Sequence, residues 1–219
     1  MKNINQEELN KILKEHELWL KREGGKRANL SNVDLRYTDL RYTNLRYTDL
    51  RCVNLRYTNL RYTNLRYTNL SNADLSYSNL SYSNLKDANL RCADLSSANL
   101  KDIKTNIHTI GYNLACPETG SFIGYKKANG CIVKLLILED SKRSSATTSK
   151  CRCDKAKVLD IENIETGKKV NEARSSYDSN FIYKVGEIIH VDNFDNNRWN
   201  ECTAGIHFFL NKEDAINYR

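Results

Sequence analysis

Cysteine and histidine residues in the second half of the chain have side chains that could bind a metal ion. Cys151, Cys153, Cys202 and His207 supply four potential zinc ligands, because thiolate sulfur and imidazole nitrogen are ligands that zinc prefers. Their spacings are Cys-x-Cys and Cys-x4-His, not the Cys-x2-Cys pairs typical of structural zinc sites. Free cysteine is also among the most often buried residue types. The spacing therefore favours buried or surface thiols, and we predict neither a metal nor another cofactor.

A cysteine nucleophile is the second chemistry that these residue types allow. Cys202 or Cys151, with His190 or His207 as the base, would suit acyl transfer, because a neighbouring base generates the reactive thiolate. Spacing alone does not pair one cysteine with one histidine, so we assign no catalytic residue. This half of the chain holds five of the seven cysteines and three of the four histidines. We expect any specific site to lie near Cys151, Cys153, Cys202 and His207.

The elements that would position these residues are strands joined by short loops. Apolar and β-branched runs predict strands at 121–125 and 131–138, around a turn at Asn129 and Gly130. Further strands are predicted at 156–161, 181–184, 187–191 and 205–210, and a short closing helix at 212–218. Together they predict an α+β domain over residues 106–219.

The first half of the chain has a different pattern, in which leucine recurs at every fifth position from Leu30 to Leu100. In an α-helix a five-residue step turns the side chain by roughly 140°, so successive leucines would not share a face. In a strand the odd step would place alternate leucines on opposite faces of the sheet. The chain must therefore turn once per pentad, which predicts a solenoid.

The other pentad positions agree with a solenoid. In residues 38–42, Thr-Asp-Leu-Arg-Tyr, the first and third side chains point inward and the others outward, by the two-residue alternation of extended chain. The second position is always Asn or Asp from Asn29 to Asn99, residues that bond nearby backbone groups in turns. Each inward threonine hydroxyl needs a partner, and we expect backbone groups at the corners to supply it. These threonines are Thr38, Thr43, Thr48, Thr58, Thr63 and Thr68.

Residues 73–77, Ala-Asp-Leu-Ser-Tyr, and 88–92, Ala-Asn-Leu-Arg-Cys, resemble the A(D/N)LXX pattern of the pentapeptide-repeat family. The resemblance covers fifteen consecutive pentads. It implies a mainly β fold over residues 28–105, a right-handed quadrilateral β-helix with four pentads per coil. Parts of residues 106–219 look like an uncharacterised domain found behind such repeats in bacteria and phages, which brings no known activity.

The family's best-known role, inhibition or protection of DNA gyrase by acidic rods that imitate DNA, does not carry over easily. Such a mimic needs a strongly negative face. Here the fourth pentad position is arginine in seven successive repeats, from Arg36 to Arg66.

Residues 1–27 predict a helix that caps the first coil. Asn5 and Glu8 fit a capping box, an apolar stripe includes His16 and Trp19, and Gly24 with Gly25 ends the helix. A solenoid needs such a cap, because its first coil would otherwise expose unpaired backbone and leucines. The alternative is a partner-binding or dimerising helix. Because a helix and a domain cover the two ends of the rod, we expect a monomer.

Twenty-residue stacking converts the repeats into ladders of aromatic and basic side chains on the surface. Tyrosine next to arginine is the composition of a nucleic-acid surface, but stacked tyrosines also stabilise neighbouring strands, and both residue types bind proteins. The predicted ladder residues are Arg36, Arg41, Arg46, Arg56, Arg61, Arg66, Tyr37, Tyr42, Tyr47, Tyr57, Tyr62 and Tyr67.

Composition limits the remaining possibilities. The chain has 219 residues, a net charge of +7 and an odd number of cysteines, and it has neither an apolar run long enough to span a membrane nor a signal-peptide core. We therefore expect a cytoplasmic protein without membrane contact. The predicted function is a non-catalytic interaction or scaffold protein, whose rod is a rigid protein-binding surface or spacer and whose C-terminal domain provides specificity. Nucleic-acid binding by the rod, or a small thiol- or metal-dependent enzyme activity in the C-terminal domain, are the alternatives.

Overall fold

The computed structural model describes residues 1–218, and it divides into two compact units. The first unit is Met1–Asn113, and the second begins at Leu114. The predicted domain boundary after residue 105 falls before this division. No helix in the described part of the chain has the length and apolar character needed to cross a bilayer.

The first unit is a β-helix-type fold whose coils are joined by parallel bridges between residues twenty positions apart. Asn29 bridges to Asp49, and the same step recurs along the rod as far as the bridge from Asn84 to Lys104. Four pentads therefore complete one coil. Each pentad bonds to the next coil through its backbone; for example, Leu30 N donates to Asp49 O at 2.8 Å. The short element β1 (Lys2–Asn3) adds to the first coil by pairing in parallel with β2 (Val33–Asp34).

The leucines fill the interior, as the five-residue period predicts. From Leu30 to Leu95 every repeat leucine is at most 2% exposed. The threonine hydroxyls at the first position also find partners. Thr58 Oγ1, for example, donates to Leu35 O of the neighbouring coil at 2.8 Å. Leucine carbonyls accept from Thr38, Thr43, Thr58, Thr63 and Thr68, and Thr48 bonds to His16 instead.

Every corner combines two local features that the pentad sequence supplies. The Oδ1 atom of the second residue accepts a hydrogen bond from the backbone N–H two residues later, as in the 3.1 Å bond from Arg41 N to Asp39. The fifth residue lies in the left-handed region, with φ of 58° at Tyr42 and 57° at Tyr62. That conformation costs a non-glycine residue about 1–3 kcal/mol and is best tolerated by Gly and Asn. Asn32 and Asn72 occupy the same position elsewhere.

Helix α1 (Gln6–Lys21) packs on the first coils through a buried histidine. It begins with the predicted capping box, in which Asn5 and Glu8 bond reciprocally. The His16 Nδ1 atom accepts from Ala28 N at 3.1 Å, and Nε2 lies 3.2 Å from Thr48 Oγ1. The ring stacks on Trp19 with a centroid separation of 5.6 Å. Because it is buried, the pKa of His16 is lowered.

The rod extends beyond the last leucine pentad. Ile110 bridges to Asn89, a step one residue longer than the others, and Thr109 Oγ1 donates to Leu85 O as the repeat threonines do. The last coil thus accommodates one extra residue between 104 and 110. The leucine period alone did not reveal this coil, because Ile107 and His108 interrupt it.

The second unit consists of antiparallel strands and one short helix. In chain order its elements are β3 (Phe122–Ala128), β4 (Cys131–Ile137), β5 (Arg143–Ser145), β6 (Cys151–Cys153), β7 (Lys155–Asn163), β8 (Glu172–Arg174), β9 (Ile182–Lys184), β10 (Ile188–His190), β11 (Ile206–Phe208) and α2 (Lys212–Asn217). A four-stranded sheet has the order β10-β7-β4-β3, a three-stranded sheet has the order β11-β6-β5, and β8 pairs with β9.

The sheets of the second unit share a core that includes Val133, Leu135, Val158 and Phe208. The predicted hairpin around Asn129 and Gly130 is confirmed as β3 and β4. The pattern analysis did not find β5, β6 and β8. Each has only three residues and includes an arginine, so no alternating apolar pattern could develop.

We expect Leu60→Asp to prevent folding of the rod. Leu60 is fully buried, so the variant would place an unpaired carboxylate in the interior, which is strongly destabilising. Arg61→Ser is the matched control, since serine occupies the same outward position at Ser71, Ser76 and Ser81. Thermal unfolding followed by circular dichroism should show a large drop in melting temperature for Leu60→Asp only. Equal melting temperatures would contradict the assignment of an inward and an outward position.

We expect the free energy of unfolding to fall as the pH drops below about 6.5. The unfolded chain takes up a proton on histidine near that pH, whereas folded His16, with its lowered pKa, takes it up only at lower pH. Protonation of His16 would also break the hydrogen bond that Ala28 N donates to Nδ1, because a protonated Nδ1 cannot accept it. Urea unfolding at pH 7 and pH 5.5 should therefore show a smaller pH dependence for His16→Gln than for wild type. The exposed His190 provides the control variant His190→Gln, and an unchanged pH dependence in His16→Gln would contradict the prediction.

Candidate functional site

The tyrosines of the rod form three stacked columns on its surface. Ring centroids of successive members lie 4.9–5.1 Å apart, and their planes differ by at most 19°. The left-handed corner aims each ring outward, and the twenty-residue step places it above the equivalent ring of the next coil. Tyr37 and Tyr42, at the first coil, are each 71% exposed. The columns are Tyr37-Tyr57-Tyr77, Tyr42-Tyr62-Tyr82 and Tyr47-Tyr67.

Most arginines of the ladder already have an acidic partner. Arg36 lies 2.7 Å from Asp34, and Arg41 lies 2.6 Å from Asp39. The hydrogen bonds from these arginines lower the pKa of both carboxyl groups. Arg56 and Arg66 lie 3.7 and 3.6 Å from aspartates of other pentads.

Arg46 and Arg61 instead lie over tyrosine rings. Each guanidinium is 5.3 Å from the centroid of the ring that follows it in the sequence, Tyr47 or Tyr62. The guanidinium planes and stacked rings thus form one packed layer, in which much of the positive charge is matched by aspartate.

The four residues predicted to form a site in the second unit are divided between two faces of one sheet and a loop. Strands β6 and β11 pair so that Arg152 lies opposite His207 and Cys151 opposite Phe208. Because side chains alternate along a strand, Cys151 and Cys153 point into the core, whereas His207 lies on the other face with Arg152. Cys202 is exposed in the preceding loop.

The environments of these side chains differ from one another. Burial raises the pKa of the Cys153 thiol, and the hydrogen bond with Cys116, together with burial, raises that of Cys151. Burial lowers the pKa of His207 to about 4, so the ring is neutral at physiological pH. Within residues 1–218 no group of three or more His, Cys, Asp or Glu side chains is arranged to hold a metal ion.

His207 and Cys202 line a cavity that also contains three lysines, Lys126, Lys127 and Lys150. His207 Nε2 lies 3.1 Å from Glu201 O, and Cys202 Sγ lies 3.3 Å from Lys150 Nζ. Sequence reasoning did not identify Lys126 as a site residue. The sequence of β3 could have indicated it, because Lys126 lies on the same face of the strand as Gly124 and Ala128, which are buried. A lysine on the buried face of a strand is unusual enough to mark a site.

Comparison with known families accounts for both units. Residues 28–66 and 68–104 match pentapeptide repeats in eight copies. A pentapeptide repeat protein of Nostoc PCC 7120, alr5209, is 39% identical over 38% of this chain and 69% of its own, with a TM-score of 0.38. The chain belongs to the pentapeptide-repeat proteins. In this pentapeptide-repeat protein, residues 112–215 also match DUF5758, a family of unknown function.

Two other cyanobacterial structures resemble the repeats of this pentapeptide-repeat protein. Rfr23 of Cyanothece 51142 is 37% identical over 37% of this chain and 59% of its own, with a TM-score of 0.29. HetL of Nostoc sp. strain PCC 7120 is 36% identical over 36% of this chain and 43% of its own, with a TM-score of 0.18. The match thus spans less than two thirds of either relative. No curated protein is significantly similar to the chain.

We expect thiol labelling to distinguish Cys202 from the two core cysteines. Cys202 is exposed, whereas Cys151 and Cys153 are fully buried and have raised pKa values. Since the thiolate is the reactive form, iodoacetamide should modify Cys202 in the native protein and the other two only after unfolding. Peptide mass spectrometry resolves the three sites, and labelling in denaturant is the control. A native labelling rate at Cys151 close to that at Cys202 would show that the strand alternation assigned here is wrong.

Proposed function

We propose that this pentapeptide-repeat protein is a non-catalytic interaction protein whose rod displays a rigid binding surface for another protein. In this proposal residues 28–105 form a right-handed quadrilateral β-helix, residues 1–27 cap its first coil, and the domain over residues 106–219 provides specificity. The protein acts as a monomer in the cytoplasm. The observation that carries the proposal is the set of half-exposed, stacked tyrosine columns.

Stacking gives these tyrosines the properties of binding hot spots. Tyrosine and arginine are enriched at the energetic centres of protein interfaces. A side chain that is already held in place loses little conformational entropy when a partner binds. Here Tyr57 is held by the rings of Tyr37 and Tyr77 and by Arg56. Tyr62 is held in the same way by Tyr42, Tyr82 and Arg61. The columns are therefore organised before any partner arrives.

The charge distribution favours a protein partner over a nucleic acid. Binding to a phosphate backbone depends on cations that release counterions from it. In the rod, Arg36, Arg41 and Arg51 have aspartate partners within 2.7 Å. A nucleic acid would have to displace those carboxylates or bind despite their electrostatic repulsion of its phosphates.

The test replaces tyrosines without disturbing the corners that carry them. Tyr57→Asn with Tyr62→Asn keeps a residue type that the fold already uses in this left-handed position, at Asn32 and Asn72. The matched control is Cys52→Asn with Cys92→Asn, which makes the same change in the column that contains Asn72. Both variants should fold with melting temperatures near that of the wild type.

We expect the tyrosine variant to lose its partner in cross-linked co-purification from the native cells. Loss of one hot-spot side chain costs about 2 kcal/mol or more, so the recovery of the partner should fall at least about tenfold. The control variant should recover as much of the partner as the wild type does, with and without nuclease treatment. Recovery that survives the tyrosine change but disappears with nuclease would instead support nucleic-acid binding.

A further inference from the structure

The second unit contains a cavity of a size suited to a small molecule. Its volume is about 480 Å³, within the range of roughly 300–1,000 Å³ typical of ligand sites. Strands β3, β9 and β11 and helix α2 contribute to its lining. Much of the wall is apolar or aromatic and includes Phe181, Tyr183, Ile206 and Phe209. Such a wall, with a few polar groups, is the usual composition of a binding site.

Two of the polar groups in this cavity are lysines that are almost completely buried. Lys126 is 9% exposed and Lys150 is 6% exposed. Lys150 has partners, since its Nζ lies 3.1 Å from Tyr218 Oη, 3.3 Å from Cys202 Sγ and 4.0 Å from Glu201. Among the described residues, Lys126 has neither a hydrogen-bond acceptor nor an acidic partner, and the charge that acts on it is the positive charge of Lys150.

An ammonium group in this position destabilises the folded chain. Burial without a counter-charge costs several kcal/mol in real proteins. Burial, reinforced by Lys150, lowers the pKa of Lys126 to about 8, so the group is still mostly protonated at neutral pH. The adjacent Lys127 shows the contrast, because its ammonium donates to Ile216 O and Tyr218 O at the end of α2.

We propose that this cavity binds a small organic carboxylate, whose acidic group pairs with Lys126 beside Lys150 and whose apolar body packs against the aromatic wall. A monoanion fits best, because Lys150 is already near Glu201 and only Lys126 lacks a partner. The apolar wall selects against a bare inorganic anion, which would leave it uncovered. This proposal is independent of the binding role proposed for the rod.

The first experiment compares a carboxylate with its neutral amide on the full-length wild-type chain. Phenylacetate and 4-phenylbutyrate are the probes, phenylacetamide and 4-phenylbutanamide are their neutral counterparts, and acetate tests the acidic group alone. Calorimetry should show that each aryl carboxylate binds at least about tenfold more tightly than its amide, because hydrogen bonds to a charged acceptor are the stronger ones. Acetate should bind more weakly than either aryl carboxylate. Equal affinities for carboxylate and amide, or no binding of either carboxylate at millimolar concentration, would overturn the proposal.

The second experiment removes the charge of Lys126 while keeping its length. Lys126→Met should weaken carboxylate binding at least about tenfold and leave the melting temperature equal or higher, because an unpaired buried charge is removed. Lys157→Met is the matched control, a lysine in β7 of the same four-stranded sheet that does not line the cavity. Lys126→Gln provides a second variant with a shorter neutral side chain. Unchanged carboxylate affinity in a folded Lys126 variant, or a melting temperature well below that of the control, would assign Lys126 a purely structural role and refute the proposal.

Discussion

Backbone hydrogen bonds between successive coils, whose bridged residues lie twenty positions apart, determine where the side chains of the rod lie. Here each coil repeats the path of the coil before it, so Tyr62 must lie beside Tyr42 and Tyr82 whatever else changes. The leucine interior, the threonine bonds between coils and the tyrosine columns all follow from this one register. A surface of this kind is rigid because its positions are fixed by the backbone.

The repeat explains how much of the first unit could be predicted from the sequence. A period of five excludes a regular helix or sheet, and the residue types at each position then assign inside, outside and corner. The β-helix-type fold, the capping box of α1 and the partners of most threonines were therefore predictable. The bond between Thr48 and His16 was not, because it depends on how α1 lies on the first coils. The coil that includes Ile110 could not be predicted either, because one inserted residue breaks the strict five-residue period.

The site in the second unit was harder to predict from the sequence, because it depends on which strands pair. Cys151, Cys153, Cys202 and His207 were grouped for their chemistry, yet the register of β6 and β11 places the first two in the core and His207 on the opposite face. Lys126 and Lys150, which carry the chemistry of the cavity, are separated by two strands and several loops. Alternation within β3 could have marked Lys126 as inward, but only the fold reveals that it meets Lys150 and an aromatic wall.

The four-pentad coil also makes the rod sensitive to the length of any insertion. Twenty added residues would supply one more coil and keep every column aligned, so the rod could lengthen without altering the chemistry of its sides. Five added residues would keep leucine inside and the corners intact, yet would move every later pentad to the next side of the coil. A tyrosine column would then be interrupted at the insertion and would continue on the next side of the coil. Changes in repeat number can therefore redirect the surfaces of such a protein while leaving its interior unchanged.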